Sequence, residues 1–302
     1  MNSSFLDFLD LTLASGIALL GAQWKDNHAR YVIGRQSSDG GFPGRQGGSD
    51  PYYTDFAVRT LVLLGKTEGL KRAAGYARGL KAEPRDLVDC FSRLNLARLL
   101  KLRIDTGAVR KQLERQQLAG GGFARKNAVD VSAYNTFLAA LCCEMLGEAF
   151  PAPDRAARAV AGLRCSDGGY GELRGESTGQ TNATAAAVGF LTMTGAAEQI
   201  DAAGAVRFLS GMQAPDGGLL AAYDAPEGDL LSTFTGLVTL TALGALDRVD
   251  LAAVARFVKA LAAPEGGFCG SMSDREADVE YTCYGASTVA LLRLHASAER
   301  KP

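Results

Sequence analysis

From Leu251 to Leu261 apolar side chains fall at Leu251, Val254, Ala255, Val258 and Leu261, the stripe of a helix with one buried face. Other stretches, such as Leu61–Gly65, Leu138–Gly147 and Leu237–Gly244, are apolar around most of the circumference, as enclosed helices are. The two kinds alternate, and a glycine-pair turn joins most one-faced helices to the enclosed helix that follows. Five such turns read SSDGGFPG (37–44), LAGGGFA (118–124), CSDGGYG (165–171), APDGGLL (214–220) and APEGGFCG (263–270). Their first aligned glycines are Gly40, Gly121, Gly168, Gly217 and Gly266. The last three steps are nearly equal, and the long first one leaves room for a repeat without its glycines. Lys81 to Leu102 fits that place, with Arg85 and Asp86 in the turn and a helix from about Val88.

Within the units the outer, one-faced helix often follows an aspartate: Asp105, Asp154, Asp201 and Asp250 read as N-caps or first-turn acids. The enclosed helices are expected to begin near Thr54, Asp89, Ser132, Thr181, Ser232 and Thr282. Gln36, Gln117 and Gln213 each stand four residues before an aligned glycine, placed to bind loop backbone and hold one repeat on the next. Six helical hairpins can stack as an open solenoid or close into a ring. The strongly apolar second helices favour a closed all-α ring of inner helices wrapped by outer ones. One domain is expected over 1–302, with residues 1–34 adding one or two helices before repeats spanning 35–302. Pro151 and Pro153 mark a loop inside the repeats.

Composition changes this picture little. Apolar residues make up 47% of the 302, ample for a core, and the net charge of −1 gives no global attraction to nucleic acid or an anionic membrane. The six cysteines form no CxxC pair and read as reduced thiols. The apolar start from Phe5 to Leu20 carries Asp7 and Asp10 and lacks a basic leader, so a cytoplasmic protein without a membrane span is expected.

The pattern Q-x-x-DGGF, then YT-x-x-A-x-x-x-L-x-x-LG after a loop, resembles the repeats of protein prenyltransferase β subunits and of squalene and terpene cyclases. The resemblance covers about residues 28–295 and implies an (α/α)6 toroid. Asp278 to Ser287 (DVEYTCYGAS) resembles the β-subunit segment D-F-Y-H-T-C-Y-C-L-S, and the length suits a single toroid, so a bacterial β-subunit homologue is implied. β subunits hold zinc with an Asp and a Cys in D-x-C and a His in the last repeat. Asp229 stands at the Asp position, but Leu231 takes the Cys position and Tyr281 the His position. Zinc needs three or four such donors, so the family site is not expected to be retained and no cofactor is expected. Asp229, Glu280 and Cys283 are the remaining donors for a zinc ion. In the diphosphate pocket Asp130 takes the place of a His and Ser232 that of a Tyr, and Ala225, Pro226 and Glu227 replace basic residues. The cyclase motif D-x-D-D is absent; Asp130 or Asp278 would have to supply the acid.

Asp55/Arg59 and Asp89/Arg93 are i,i+4 pairs, either ordinary helix ion pairs or a means of projecting Arg59 and Arg93 into the ring toward an anionic head group. Tyr52, Tyr53, Tyr134, Phe234, Tyr281 and Tyr284 fall near inner-helix starts, where they pack the core or line a cavity suited to an isoprenoid or a carbocation. Gln180, Thr181, Asn182 and Thr184 read as a capping sequence, and Phe42, Phe123 and Phe268 as plugs of the hairpin stacks. The expected function is prenyl transfer from a prenyl diphosphate to an acceptor entering near Asp229 and Tyr281. Asp229, Tyr281 and Asp130 are the catalytic candidates. Tyr53, Arg59, Arg93, Tyr134, Ser232, Phe234, Glu280 and Tyr284 are the binding candidates. A non-catalytic lipid- or peptide-binding toroid and a small terpene cyclase are the alternatives. A helical α-type subunit or a second copy is the expected protein partner, and no nucleic acid.

Overall fold

The computed structural model describes residues 4–298; the two ends of the 1–302 span lie outside the described residues. Six inner helices form a ring: α3 (Pro51–Leu63), α5 (Leu87–Leu99), α7 (Ala133–Leu146), α9 (Thr181–Met193), α11 (Leu230–Ala242) and α13 (Val279–Ala298). Each packs on the next, and α13 packs on α3, so the ring is closed and no solenoid end is left open. Six outer helices wrap it: α2 (Ala22–Gly34), α4 (Leu70–Gly79), α6 (Gly107–Gln116), α8 (Pro153–Ala161), α10 (Ala202–Gly211) and α12 (Leu251–Leu261). Lys81 to Leu102 does contain the glycine-poor repeat. Among the described residues strand-like pairing is limited to isolated bridges in the loops, and no helix is long and apolar enough to cross a membrane.

Four inner helices begin two or three residues earlier than their sequence suggested. The reason is their caps. Asp50, Asp86 and Asp229 accept from the backbone N–H of Tyr52, Asp89 and Ser232, and Asp278 accepts from Tyr281 N–H. Each carboxylate satisfies a donor the helix cannot, typically worth about 1 kcal/mol. On the outer side Asp201 and Asp250 cap α10 and α12. A second device repeats four residues after the cap, where a threonine hydroxyl accepts from the turn. Thr54, Thr136, Thr184, Thr233 and Thr282 bind the backbone N–H of Phe42, Phe123, Tyr170, Leu219 and Phe268 at 2.9–3.1 Å. Those five turn residues are fully buried plugs. In the glycine-poor repeat Cys90 stands where the threonine would be.

The glycine turns set how one repeat meets the next. Gly217 has φ +97°, and a Cβ there would lie 2.5 Å from Ala253 O in α12, so both backbone conformation and contact exclude a side chain. Gln213 Nε2 donates to Gly217 O and Asp250 O, and Asp250 N–H donates back to its Oε1. Gln36 makes the corresponding bridge to Gly40 O and Gly69 O. Gln117 does not; its neighbour Gln116 donates to Ala124 O instead.

Helix α1 (Phe5–Ala18) lies outside the repeat scheme and crosses the end of the ring at which the inner helices finish. Its first N–H groups, of Phe5 and Leu6, donate to the Glu144 carboxylate in the last turn of α7. Asp7 and Asp10 pair with Arg98 in the last turn of α5. Gly16 packs on the Ala290 backbone of α13 so closely that a Cβ would overlap it.

Candidate functional site

The ring encloses a cavity of about 500 Å3. Its lining follows a register counted from each cap. Two residues after the cap stand Tyr52, Val88, Tyr134, Asn182 and Leu231; five and six after stand Phe56, Phe91, Phe137, Phe234 and Tyr284; nine after stand Arg59, Leu141 and Val238. The spacing is that of one helix face. The wall is mainly aromatic and aliphatic: Phe56 and Tyr284 meet edge to face at 5.1 Å between centroids, and Phe234 stands 5.7 Å from Tyr284. Phe5, Leu6 and Leu9 of α1 complete the wall at the ring's closed end. The cavity volume is within the range of about 300–1,000 Å3 usual for small-molecule sites.

Arg59 places a guanidinium in this wall. Asp55, fully buried beside it, accepts from Arg59 at 2.8 and 3.0 Å and from Asn95 Nδ2 at 2.7 Å. Burial pushes the Asp55 carboxyl up, and the Arg59 charge opposes it. The guanidinium lies over Phe56 at 4.4 Å, with Phe91 at 5.6 Å. Arg125 pairs with Glu172 at 3.3 Å. Glu172 is buried, accepts from the Ser132 hydroxyl, and faces the cavity beside Gln180 and Asn182. Both lining arginines therefore have a carboxylate partner.

Tyr52 donates its hydroxyl to Glu280 at 2.5 Å, joining α3 to α13 at the cavity's edge. Burial raises the Glu280 carboxyl, and the Tyr52 bond acts against this.

The binding candidates divide. Arg59, Tyr134, Phe234 and Tyr284 line the cavity, and Glu280 reaches it through Tyr52. Tyr53 does not line it; its ring packs on Gly44. Ser232 is buried between α11 and Asn182 of α9. Arg93 is not in the ring. It stands seven residues after its cap where Arg59 stands nine, a rotation of about 200° on the helix, and its guanidinium binds Asp89 and Ala82 O on the outer wall.

The catalytic candidates fare differently. Asp229 is turned back onto its own helix as a cap, and burial raises its carboxyl against the Ser232 N–H. Tyr281 packs on Gly270 under the Arg45 guanidinium, at 5.7 Å from it. Asp130 is exposed on the loop before α7 and is not in the lining. The three do not converge on one point in the cavity. Nor do the zinc donors: Asp229 caps α11, Glu280 turns to Tyr52, and Cys283 is buried against Thr60. Zinc requires three or four donors around one point, and these do not fit it. Among the described residues no three His, Cys, Asp or Glu side chains are placed to share a metal ion. Phe56, Phe91, Phe137, Arg125 and Glu172, none of them a binding candidate by sequence, also line the cavity, and so do Gln180 and Asn182 of the capping sequence.

With the ring and its cavity in place, comparison with known proteins decides the family. The sequence matches the prenyltransferase alpha-alpha toroid domain over residues 9–146 and again over 90–301. The chain belongs to that family. No curated protein matches the sequence. Among solved structures, the toroid is similar to Candida albicans protein geranylgeranyltransferase-I complexed with GGPP. That match has a TM-score of 0.62 and 13% identity over 78% of this chain and 83% of that one. It is also similar to a variant of the type II terpene cyclase MstE from Scytonema in complex with merosterolic acid A. Here the TM-score is 0.64, with 16% identity over 97% of this chain and 99% of that one. A further MstE variant, in complex with geranylgeranyl dihydroxybenzoate, gives a TM-score of 0.65 at 15% identity over 96% and 99% of the two chains. At such identities the likeness is one of fold.

Proposed function

We propose that this toroid handles isoprenoids: the central cavity seats a prenyl chain, and the end of that chain is presented for transfer where Tyr52, Tyr134 and Arg125 stand. The observation that carries this reading is the aromatic and aliphatic lining that α3, α5, α7, α11 and α13 give a roughly 500 Å3 cavity, with Arg59 set in it. Aromatic faces attract a developing carbocation as well as an apolar chain. Support comes from the neighbours, whose structures hold GGPP and geranylgeranyl dihydroxybenzoate. Arg59 and Arg125, each already paired with a carboxylate, would meet an anionic head, and Arg93 has no part in it.

The test is thermal unfolding with farnesyl diphosphate, geranylgeranyl diphosphate and geranylgeraniol. A ligand that binds only the folded chain adds about 2.7 kcal/mol at a hundred times its Kd. Both geranylgeranyl compounds should stabilise, and the Phe234→Ala, Tyr284→Ala double variant should lose the effect. No stabilisation by any of the three at saturation sinks the reading. Leu9→Trp, which shortens the cavity from its α1 end, should weaken geranylgeranyl binding more than farnesyl binding. The expected discrimination is on the order of 1–3 kcal/mol.

Glu280 favours a second reading. A half-buried carboxyl with a raised pKa, bonded to a tyrosine that faces the cavity, can pass a proton through that hydroxyl to an alkene, the step a cyclase needs. Cyclic products formed without release of diphosphate would select it over transfer.

A further inference from the structure

The loop that lost its glycines opens a second cavity, about 420 Å3, on the outer wall between α4, α5 and α6. It is separate from the ring's interior and has different chemistry. Arg78, Lys81, Arg93 and Arg103 line it with a single carboxylate, that of Asp105. Arg93 is nearly buried and committed to Asp89 and Ala82 O, so it forms a fixed back wall whose charge Asp89 partly offsets. Arg78, Lys81 and Arg103 are exposed and have no ion pair or side-chain hydrogen bond among the described residues. Outside the cavity Arg85 pairs with Asp50 and Asp89, Arg110 with Glu148 and Arg115 with Glu83, while Lys101 and Lys111 make no ion pair. Three unpaired like charges around one hollow repel one another, and the one carboxylate there, Asp105, accepts from Gly107 N–H and pairs with none of them.

The charge of the whole chain points the same way. Residues 66–126 carry fifteen Lys or Arg and six Asp or Glu, a net +9, while residues 127–302 carry twelve and twenty-one, a net −9. The overall −1 hides this separation, and the hollow lies within the positive segment. Leu80, Pro84, Ile104 and Val109 supply apolar wall beside the cations.

We propose that this hollow is a binding site for a phosphate-class anion, a diphosphate or phosphate monoester, held by Lys81, Arg78 and Arg103 against Arg93. Several cations at one place select a ligand with more than one negative charge, and guanidinium forks suit phosphate oxygens. The same head group could arrive in solution or on a lipid, so the experiment has two arms. Pyrophosphate is titrated calorimetrically into the full chain at low ionic strength. Separately, the chain is sedimented with phosphatidylcholine vesicles with and without phosphatidate. Lys81→Ala, Arg103→Ala is the test variant. Arg207→Ala, Arg256→Ala, which removes the same charge from the outer helices α10 and α12, is the control.

Saturable one-site binding of pyrophosphate, weakened about tenfold or more in the test variant by loss of charge-assisted contacts and little changed in the control, is the expected result. Capture by phosphatidate vesicles alone, lost in the test variant only, also supports the site and assigns it to a lipid head group. Absence of binding in both arms, or equal loss in test and control variants, overturns it. Neither variant touches the central cavity, so geranylgeraniol stabilisation should stay unchanged in both, which separates this proposal from the isoprenoid reading.

Discussion

The seam between the fifth and sixth hairpins and the seam that closes the ring use the same contact but different chemistry around it. At the first, Gly217 presses on Ala253 O and Gln213 binds both sides, a neutral bridge. At the second, Gly266 has φ +99° and a Cβ would lie 2.6 Å from Asn27 O in α2, while no glutamine is present. His28 takes over: its Nδ1 accepts from Gly267 N–H, and its ring stacks on Phe268 at 4.7 Å. Tyr31 donates to Ala277 O, and Arg45 reaches from the first repeat to Asp274 and Asp278. A seam formed between the two ends of the repeat array is thus held by titratable and charged groups where an internal one is held by an amide. The closing seam should be the acid- and salt-sensitive part of the ring.

The shared contact is the first way to probe this. Gly266→Ala and Gly217→Ala each combine a positive φ with an overlap onto backbone, and each should cost about 2–5 kcal/mol in urea unfolding. Equal losses would show that the glycine contact weighs the same at both seams. A silent Gly266→Ala would break the comparison, because the ring would then not depend on its closure.

The second probe is acid. Burial holds the His28 pKa down to about 4, against 6.5 for the free side chain. Between these values the unfolded chain binds the proton and the folded chain does not, so stability is fully present above pH 6.5 and falls as pH drops toward 4. The whole effect is about 3 kcal/mol. His28→Gln, which places the internal seam's amide at the closing one, should remove that part of the acid dependence. Parallel stability profiles for variant and parent between pH 7 and 4.5 would rule His28 out as its source.

How much of this was legible depends on which property each residue answers to. The alternation of helices, the glycine turns and the repeat hidden in Lys81 to Leu102 all follow from local pattern, and the ring follows from inner helices apolar all round. The cavity depends on rotation about each inner helix, and there reading by proximity to the helix start failed. Tyr53, Ser232 and Tyr281 stand three residues after their caps and face away, whereas Tyr52, Tyr134 and Leu231 stand two after and face in. A usable signal was present in α3, α7 and α11. Tyr52, Phe56 and Arg59, then Tyr134, Phe137, Leu138 and Leu141, then Leu231, Phe234, Thr235 and Val238, put large side chains on one stripe. Small residues such as Ala57, Ala139 and Gly236 occupy other faces of these helices. Arg125 and Glu172 carried no such signal, because they come from loops whose placement only the closed ring fixes. The cap role of Asp229 was legible in principle, since Asp50 and Asp86 precede their helices in the same way.

Arg45 offers the finest probe of the comparison. Its guanidinium binds Asp274 at 2.7 and 2.8 Å, Asp278 at 2.9 Å and Glu276 O at 2.8 Å, so it spans three points of the last loop. The Arg45 bond holds the Asp274 carboxyl below its usual range. Asp278 behaves oppositely, since burial raises it in spite of the same arginine. Arg45 and Asp274 are each about a third exposed, so screening limits what the pair contributes. Arg45→Ala should cost about 1–2 kcal/mol, most of it from leaving the nearly buried Asp278 without its cation. Arg45→Lys should recover only part, because an ammonium cannot span both carboxylates as a fork does. Raising salt from 0.05 to 0.5 M should shrink the Arg45→Ala loss and leave a Gln213→Ala loss unchanged, since only the closing seam relies on charge. If both losses respond to salt alike, the contrast between the two seams has no electrostatic content.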